Sequence, residues 1–436
     1  MLKRDIGLTG AILLTFNGIV GAGIFALPGT LQQQFGNFSP WLFPIFGALM
    51  LLIAIPFAWL SALFTVSGGP VVFVSPFGRA AAFQAGWLYY VARTAALAAN
   101  ANVFALYAAA LWPPLGSSAG RALIIVALIG AVSWINVVGV RRAIRALDAV
   151  TILKALPLVG LAIWALARTG GAPSPGPLPS FGALEAAALL TLYAFIGFEN
   201  SVVPAGETRS PERTIPRAVI GTVIATAGLY FLIQLAYVAV MPAGAAPDAP
   251  LAALAEILIG PAGIILLSLT AMASIAGNFL GTMASTPRVT FALAEARQLP
   301  AFFGHVHPRW GTPAKSILFM AGLGAILAVT GSFVWLAVVS TLARLFVYAA
   351  SIASLPAARR RSGAAVHPAM WPVIGGGVLL CLWAAAQSTA EAWALLGILV
   401  VVGLALYAIA ARGTAALSGA DTVSAMTPPP STRDPS

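Results

Sequence analysis

Phe16-Asn17-Gly18-Ile19-Val20-Gly21-Ala22-Gly23-Ile24-Phe25-Ala26-Leu27-Pro28-Gly29 sits inside the first apolar run of the chain, and it is a poor way to build a continuous helix. Gly18, Gly21 and Gly23 fall within six residues, each costing about 1 kcal/mol against alanine in a helix interior, and Pro28 follows. A related interruption occurs five apolar runs later, in Tyr193-Ala194-Phe195-Ile196-Gly197-Phe198-Glu199-Asn200-Ser201, with Pro204 and Gly206 beyond it. For one run alone, glycines that merely let helices pack closely explain the pattern as well as a functional break does. Two matched interruptions in corresponding runs point instead to inverted repeats and discontinuous helices around a mid-membrane substrate site. Unwound backbone frees N–H groups at one half-helix end and carbonyls at the other. The first suit a carboxylate and the second an ammonium, so one pair of breaks can hold both ends of an α-amino acid.

The runs around these breaks span a bilayer. Of 436 residues, 60% are hydrophobic and only 8% charged, and the mean hydropathy is +0.95, too little charge to cover a water-facing surface. Stretches long enough to cross hydrocarbon as helices lie at roughly 7–28, 40–66, 84–112, 120–139, 146–167, 181–205, 216–241, 258–296, 314–331, 333–356, 370–388 and 392–411, about twelve in all. No ten-residue alternation is present, which favours an all-α bundle over a barrel. Met1-Leu2-Lys3-Arg4 lacks a following small-residue cleavage site and reads as the start of a retained span. The tail from about Gly413, with Thr427-Pro428-Pro429-Pro430-Ser431, has little apolar content and is expected to be disordered.

Basicity has a topological explanation. The formal charge is +11, from 23 Lys and Arg against 12 Asp and Glu. With the N-terminus cytoplasmic, only Arg121 and Arg168 fall outside, Arg93, Lys154 and Arg344 fall within spans, and every other cation falls on the inner face. Nucleic acid is therefore not expected as a partner, and Arg359-Arg360-Arg361 reads as a topological signal that also meets anionic lipid. A lone Cys381 forms no internal disulfide, and His305-Val306-His307 lacks a third ligand at metal spacing, so no metal site is expected.

Gly21-Ala22-Gly23-Ile24-Phe25 with Pro28-Gly29, together with Phe195-Ile196-Gly197-Phe198-Glu199 leading to Gly206-Glu207, Pro211, Arg213 and Pro216-Arg217, closely resembles the amino acid-polyamine-organocation (APC) superfamily of transporters. Arg288-x-x-x-Ala292-x-Ala294 running to Leu299-Pro300, then Pro308 and Thr312-Pro313, is a third match. The resemblance implies a LeuT-like fold of five plus five inverted helices with broken first and sixth helices and two additional helices. It would divide the chain into a first repeat over 1–168, a second over 181–356, two added spans over 370–411 and a cytoplasmic tail over 412–436. It also implies a secondary active amino acid transporter of the cytoplasmic membrane, with both termini cytoplasmic, no cofactor and no covalent chemistry. Proton-coupled symport is the leading reading, with exchange without proton coupling as the alternative and a transporter-like sensor behind both.

Residue roles follow from the same resemblance. The amides of Gly21, Ala22 and Gly23 would hold the substrate carboxylate; the carbonyls of Ile19, Tyr193 and Ile196 would hold the amino group. Tyr193 would cap the site as a gate. Family members often have serine where Ala22 stands, so one hydroxyl contact is missing. Lys154, a lone ammonium in the fifth span, would stand where sodium-coupled relatives bind their cation, which implies sodium independence and makes it the coupling candidate. Its expected partners are the carbonyls near Gly18 and Val20 and hydroxyls among Thr282, Ser285 and Thr286. Glu199 is a second coupling candidate, or else pairs with a basic residue. Arg93 either locks Glu199, the favoured reading, or meets an anionic substrate side chain. Arg344 reads as a packing or inner-gate residue. Asn278 and Thr282 are candidates for the side-chain pocket, and Glu207, Arg213 and Arg217 for an inner salt-bridge gate.

Overall fold

The computed structural model describes residues 4–139, 141–245 and 247–425, and all regular structure in them is helical. Lys3, Arg433 and residues 426–436 of the expected disordered tail lie outside the described residues, as do the side chains of Arg141, Arg142, Arg145 and Arg412. The helices are α1 (Leu8–Ile19), α2 (Gly23–Phe35), α3 (Ser39–Leu63), α4 (Pro70–Phe73), α5 (Arg79–Leu111), α6 (Ser118–Val138), α7 (Arg141–Thr169) and α8 (Phe181–Tyr193). Beyond the second interruption come α9 (Pro211–Val240), α10 (Pro250–Ile259), α11 (Pro261–Ser285), α12 (Pro287–Glu295), α13 (Ala314–Thr330), α14 (Phe333–Arg361), α15 (Met370–Ala386) and α16 (Ala390–Ala425). Among the described residues, eight stretches are long and apolar enough to cross a membrane. Four shorter apolar helices, α1, α10, α13 and α15, accompany them.

Local chemistry sets several boundaries. Ser117, Ser180 and Ser332 accept hydrogen bonds from the amides of Gly120, Ala183 and Trp335, which closes the first turns of α6, α8 and α14. The span expected over 258–296 is one apolar stretch over Pro261–Glu295, interrupted for one residue at Thr286, since Pro287 has no N–H to continue the ladder. α10 was not expected. It is a ten-residue apolar helix capped by Gly260 at φ +70°, and it packs back against α11.

Both expected interruptions are present. The first apolar run stops at Ile19 and resumes at Gly23, with Val20 at φ −79°, ψ 78°. The run that begins with α8 stops at Tyr193, passes Gly197 at φ +114° and continues only as 3-10 turns over Phe198–Ser201 and Ala205–Glu207. The most extensive helix packing pairs α3 with α9 and α5 with α14; α5 also packs on α11, α6 on α13 and α7 on α11. One continuous core joins them, with the aromatic group Phe57, Phe73, Phe198 and Tyr348 beside the second break.

Candidate functional site

The two breaks touch. A Cβ on Gly18 would sit 2.3 Å from the Gly197 carbonyl oxygen, and one on Gly197 would sit 2.2 Å from the Gly18 carbonyl oxygen. At Gly23 the same construction comes 3.0 Å from Ala194 Cα, again backbone of the opposite break. Gly18 and Gly197 are therefore required by contact between backbones, Gly197 also by its left-handed φ, and Gly23 is tightly packed on the opposite break. Gly21 differs: its nearest neighbours would be the side-chain ends of Asn100 and Asn278, at 3.5 Å. It faces open space.

That space is a cavity lined by Gly18, Ile19, Gly21, Ala22, Gly23, Arg93, Ala96, Asn100, Tyr193, Ile196, Gly197, Asn278, Thr282 and Arg344. All nine residues expected from the sequence to meet substrate, Ile19, Gly21, Ala22, Gly23, Tyr193, Ile196, Arg93, Asn278 and Thr282, are on its wall. Polar groups converge there. Asn100 Oδ1 accepts from the Ala22 amide at 3.1 Å and from Tyr193 Oη at 3.3 Å, while its Nδ2 donates to Asn278 Oδ1 at 3.0 Å. Asn278 Nδ2 donates in turn to the carbonyls of Asn17 and Gly18, at 3.0 and 3.3 Å. The amides of Gly23 and Ile24, in the first turn of α2, have no hydrogen-bond partner among the described residues. The Ile196 carbonyl likewise has no donor among them, whereas the Ile19 carbonyl accepts from the Gly21 amide at 2.8 Å and from Tyr230 Oη at 3.1 Å, and the Tyr193 carbonyl accepts from the Ile196 amide at 3.2 Å. Tyr193 stands edge-on to Phe333, 5.7 Å between centroids.

Lys154 lies behind the first break, 2% exposed, and its Nζ donates to Asn17 Oδ1 at 2.8 Å and to the Val20 carbonyl at 2.9 Å. The Val20 carbonyl was expected; the hydroxyls were not met. Thr282, Ser285 and Thr286 are instead hydrogen-bonded by Arg93, and Ser274 Oγ shares the Val20 carbonyl at 3.2 Å. The ammonium faces the Phe16 ring at 5.8 Å and has no carboxylate within ion-pair distance among the described residues.

Glu199 is fully buried, and its carboxylate turns back to close its own break: Oε2 accepts from the Gly197 amide and from Tyr348 Oη, both at 3.0 Å. Its cation is Arg344, with Nε 3.4 Å from Oε1, at ion-pair distance without hydrogen-bond alignment. The expected lock with Arg93 is therefore replaced. Arg344 and Tyr348 stand four residues apart on one face of α14, so the face that supplies the hydroxyl also supplies the guanidinium. Arg93 is drawn away by the end of α11, where Thr282, Ser285 and the following Thr286 present three hydroxyls, and by Asn200 Oδ1. Among the described residues Glu207, Arg213 and Arg217 form no ion pair with one another in this conformation. The chain ahead of α1 pairs there through backbone, Ile6 N to the Glu207 carbonyl at 3.0 Å and Arg209 N to the Ile6 carbonyl at 2.8 Å.

Asn100, Asn17 and the cavity-facing position of Arg344 were not anticipated. Asn100 was within reach of sequence reading. It follows Arg93 by seven residues and Ala96 by four in an apolar helix, which puts all three on one face.

Helices long and apolar enough to cross a membrane, two of them broken where they touch, with buried polar groups lining the gap, have the build of a multi-pass membrane protein with a site between its helices. The chain belongs to the amino acid permease family, whose model matches residues 6–390. It is 28% identical to the serine/threonine exchanger SteT of Bacillus subtilis (strain 168) over 339 residues, 75% of this chain and 76% of that one. It is also 28% identical over 419 residues, 94% of this chain and 91% of the relative, to an uncharacterized transporter of Mycobacterium tuberculosis (strain H37Rv), and to the same extent to one of Mycobacterium bovis.

Proposed function

We propose that this permease is a sodium-independent secondary transporter that moves an amino acid across the cytoplasmic membrane by alternating access, driven by an inward proton gradient, with both termini in the cytoplasm. The substrate carboxylate would meet the amides of Gly21, Ala22 and Gly23, displacing Asn100 Oδ1 from Ala22. The ammonium would meet the carbonyls of Ile19, Tyr193 and Ile196, under Tyr193 as the gate. Lys154 is the coupling residue in this reading, and the observation that carries it is the Nζ contact with Val20. A charged group on α7 there grips the backbone of the first break itself, so a change in its charge state is felt at the substrate site one residue away. Glu199, held by Arg344, Tyr348 and the Gly197 amide, serves as the anchor of the second break.

A LeuT-like arrangement of five plus five helices underlies the proposal. Supporting it is the pairing of helices: α3 packs on α9, α5 on α11 and α6 on α13, each the span expected five places later, as an axis running between two repeats allows. The pairing of α5 with α14 likewise has its counterpart in that of α11 with α7.

The test is uptake of labelled amino acids into sodium-free proteoliposomes with an inward proton gradient, for wild type and Lys154→Ala. Accumulation that follows the gradient and is lost in the variant, while substrate binding survives, is the expected result. A second reading, obligatory exchange, is favoured by the Bacillus subtilis relative, a serine/threonine exchanger. It predicts uptake that needs preloaded substrate and ignores pH. No uptake of any amino acid overturns both.

A further inference from the structure

The charge of the cavity does not balance. Arg93 and Arg344 both line it, at 3% and 2% exposure. Glu199 answers Arg344. Arg93 has only neutral acceptors, Asn200 Oδ1, Thr282 Oγ1, Thr286 Oγ1 and Ser285 Oγ, with the Tyr89 ring 5.8 Å from its guanidinium carbon. Among the described residues no carboxylate lies within ion-pair distance of it. A guanidinium keeps its charge in any protein environment, and one buried at membrane depth without an anion is costly. Neutral hydroxyls orient it without neutralising it. An amino acid with an uncharged side chain brings one positive and one negative group to the site and leaves this excess in place.

We propose that the transported substrate carries a second carboxylate, that of an aspartate- or glutamate-class amino acid, and that Arg93 receives it. The inference rests on the proposed amino acid site and names its substrate class. The placement fits. Arg93, Ala96 and Asn100 form one stripe along α5 facing the cavity, and Arg93 is about 10 Å along the helix axis from Asn100, whose Oδ1 marks the amides that would take the α-carboxylate. Ala96 between them presents only a methyl group to the gap, Thr282 on α11 borders it, and the cavity of about 30 Å³ would widen as Asn100 moves aside for the ligand. The hydroxyls at the end of α11 hold the guanidinium in position, so little ordering remains to be done when the carboxylate arrives. Arg344, already paired, adds to the positive potential without competing for the ligand.

Isosteric pairs isolate the charge. Binding to detergent-purified wild type is measured by ligand-induced thermal stabilisation and by competition against labelled substrate, for glutamate against glutamine and aspartate against asparagine. The acidic member of at least one pair is expected to bind about tenfold or more tightly, the size of one charge-assisted hydrogen bond. Arg93→Gln is expected to bring that ratio to within about twofold, and Arg93→Lys to keep part of it. The wild-type comparison stands even where a variant fails to fold. Glutamine and asparagine binding as well as their acids, or an undiminished preference in folded Arg93→Gln, overturns the assignment. Neutral amino acids transported in place of acidic ones overturn it while leaving the permease function intact, whereas no amino acid bound or transported overturns both.

Discussion

The two breaks meet backbone to backbone at Gly18 and Gly197 yet are held by opposite means. The second carries its charge within it. Glu199, two residues past Gly197, caps the Gly197 amide and draws Arg344 and Tyr348 of α14 onto itself, so an anion and its cation are buried together. The first carries none. It is tied by neutral oxygens, with Asn100 on the Ala22 amide and Asn278 on the Asn17 and Gly18 carbonyls, and its one cation is borrowed from α7. A paired charge is expensive to alter, because removing either partner strands the other in the interior. A cation held only by neutral oxygens changes state without stranding an anion. The second break is thus built to stay as it is, and the first to respond.

The largest effect is expected where the breaks touch. Gly18→Ala or Gly197→Ala puts a methyl group within 2.3 Å of a backbone oxygen that has no rotamer to escape into. The two half-helices must separate, and at Gly197 the φ of +114° adds strain. Both variants are expected to lose a monodisperse folded species in detergent size-exclusion chromatography, a cost of about 4 kcal/mol or more. A folded Gly18→Ala protein with wild-type uptake would show that the breaks are not in contact during transport.

Next comes the ion pair. Glu199→Gln leaves Arg344 buried without its carboxylate, and Arg344→Gln leaves Glu199 so; each is expected to cost about 3–5 kcal/mol by thermal melting in detergent. The double variant should recover much of that loss, since two neutral side chains need no counter-charge. Equal losses in the single variants that simply add in the double would show that the pair is not coupled.

How much of this was legible beforehand depended on the range of the signal. The positions of both breaks follow from local composition, because glycine and proline act on the residues next to them. The site roles of Ile19, Gly21–Gly23, Tyr193 and Ile196 came from the family resemblance, and these residues, the backbone of those breaks, line the cavity. What the sequence did not decide were the partners of long side chains. Arg93 and Arg344 both lie in apolar helices near Glu199. Which one reaches the carboxylate depends on the relative rotation of α5 and α14 and on the three hydroxyls that the end of α11 offers Arg93. Asn17 as the partner of Lys154 was missed for a similar reason: which side chain meets Nζ depends on how α7 packs beside α1.

Lys154→Met sharpens the contrast from the other side. It removes two hydrogen bonds to neutral oxygens and strands no anion, so its stability cost is expected to be about 1–3 kcal/mol, below that of Glu199→Gln. Its effect on gradient-driven uptake should nevertheless be nearly complete, while substrate binding by thermal shift persists. A melting loss as large as that of Glu199→Gln would mean that Lys154 is an anchor like its counterpart, and the first break would no longer be the responsive one.

The smallest effect on folding is expected at Gly21, the one glycine of the first break that needs no glycine for packing. Its added methyl group would meet only the ends of Asn100 and Asn278 at 3.5 Å, ordinary contact distance, and would point into the cavity. Gly21→Ala is therefore expected to melt within about 1 kcal/mol of wild type. Its uptake should fail through KM, because the methyl group takes space beside the Ala22 and Gly23 amides and crowds the Asn100 side chain that must move aside for a carboxylate. The same substitution at Gly18, three residues earlier, is expected to be lost to folding altogether. Finding the two variants alike, both folded or both unfolded, would mean that the glycines of the first break share one purpose, and the distinction drawn between packing and substrate space would not hold.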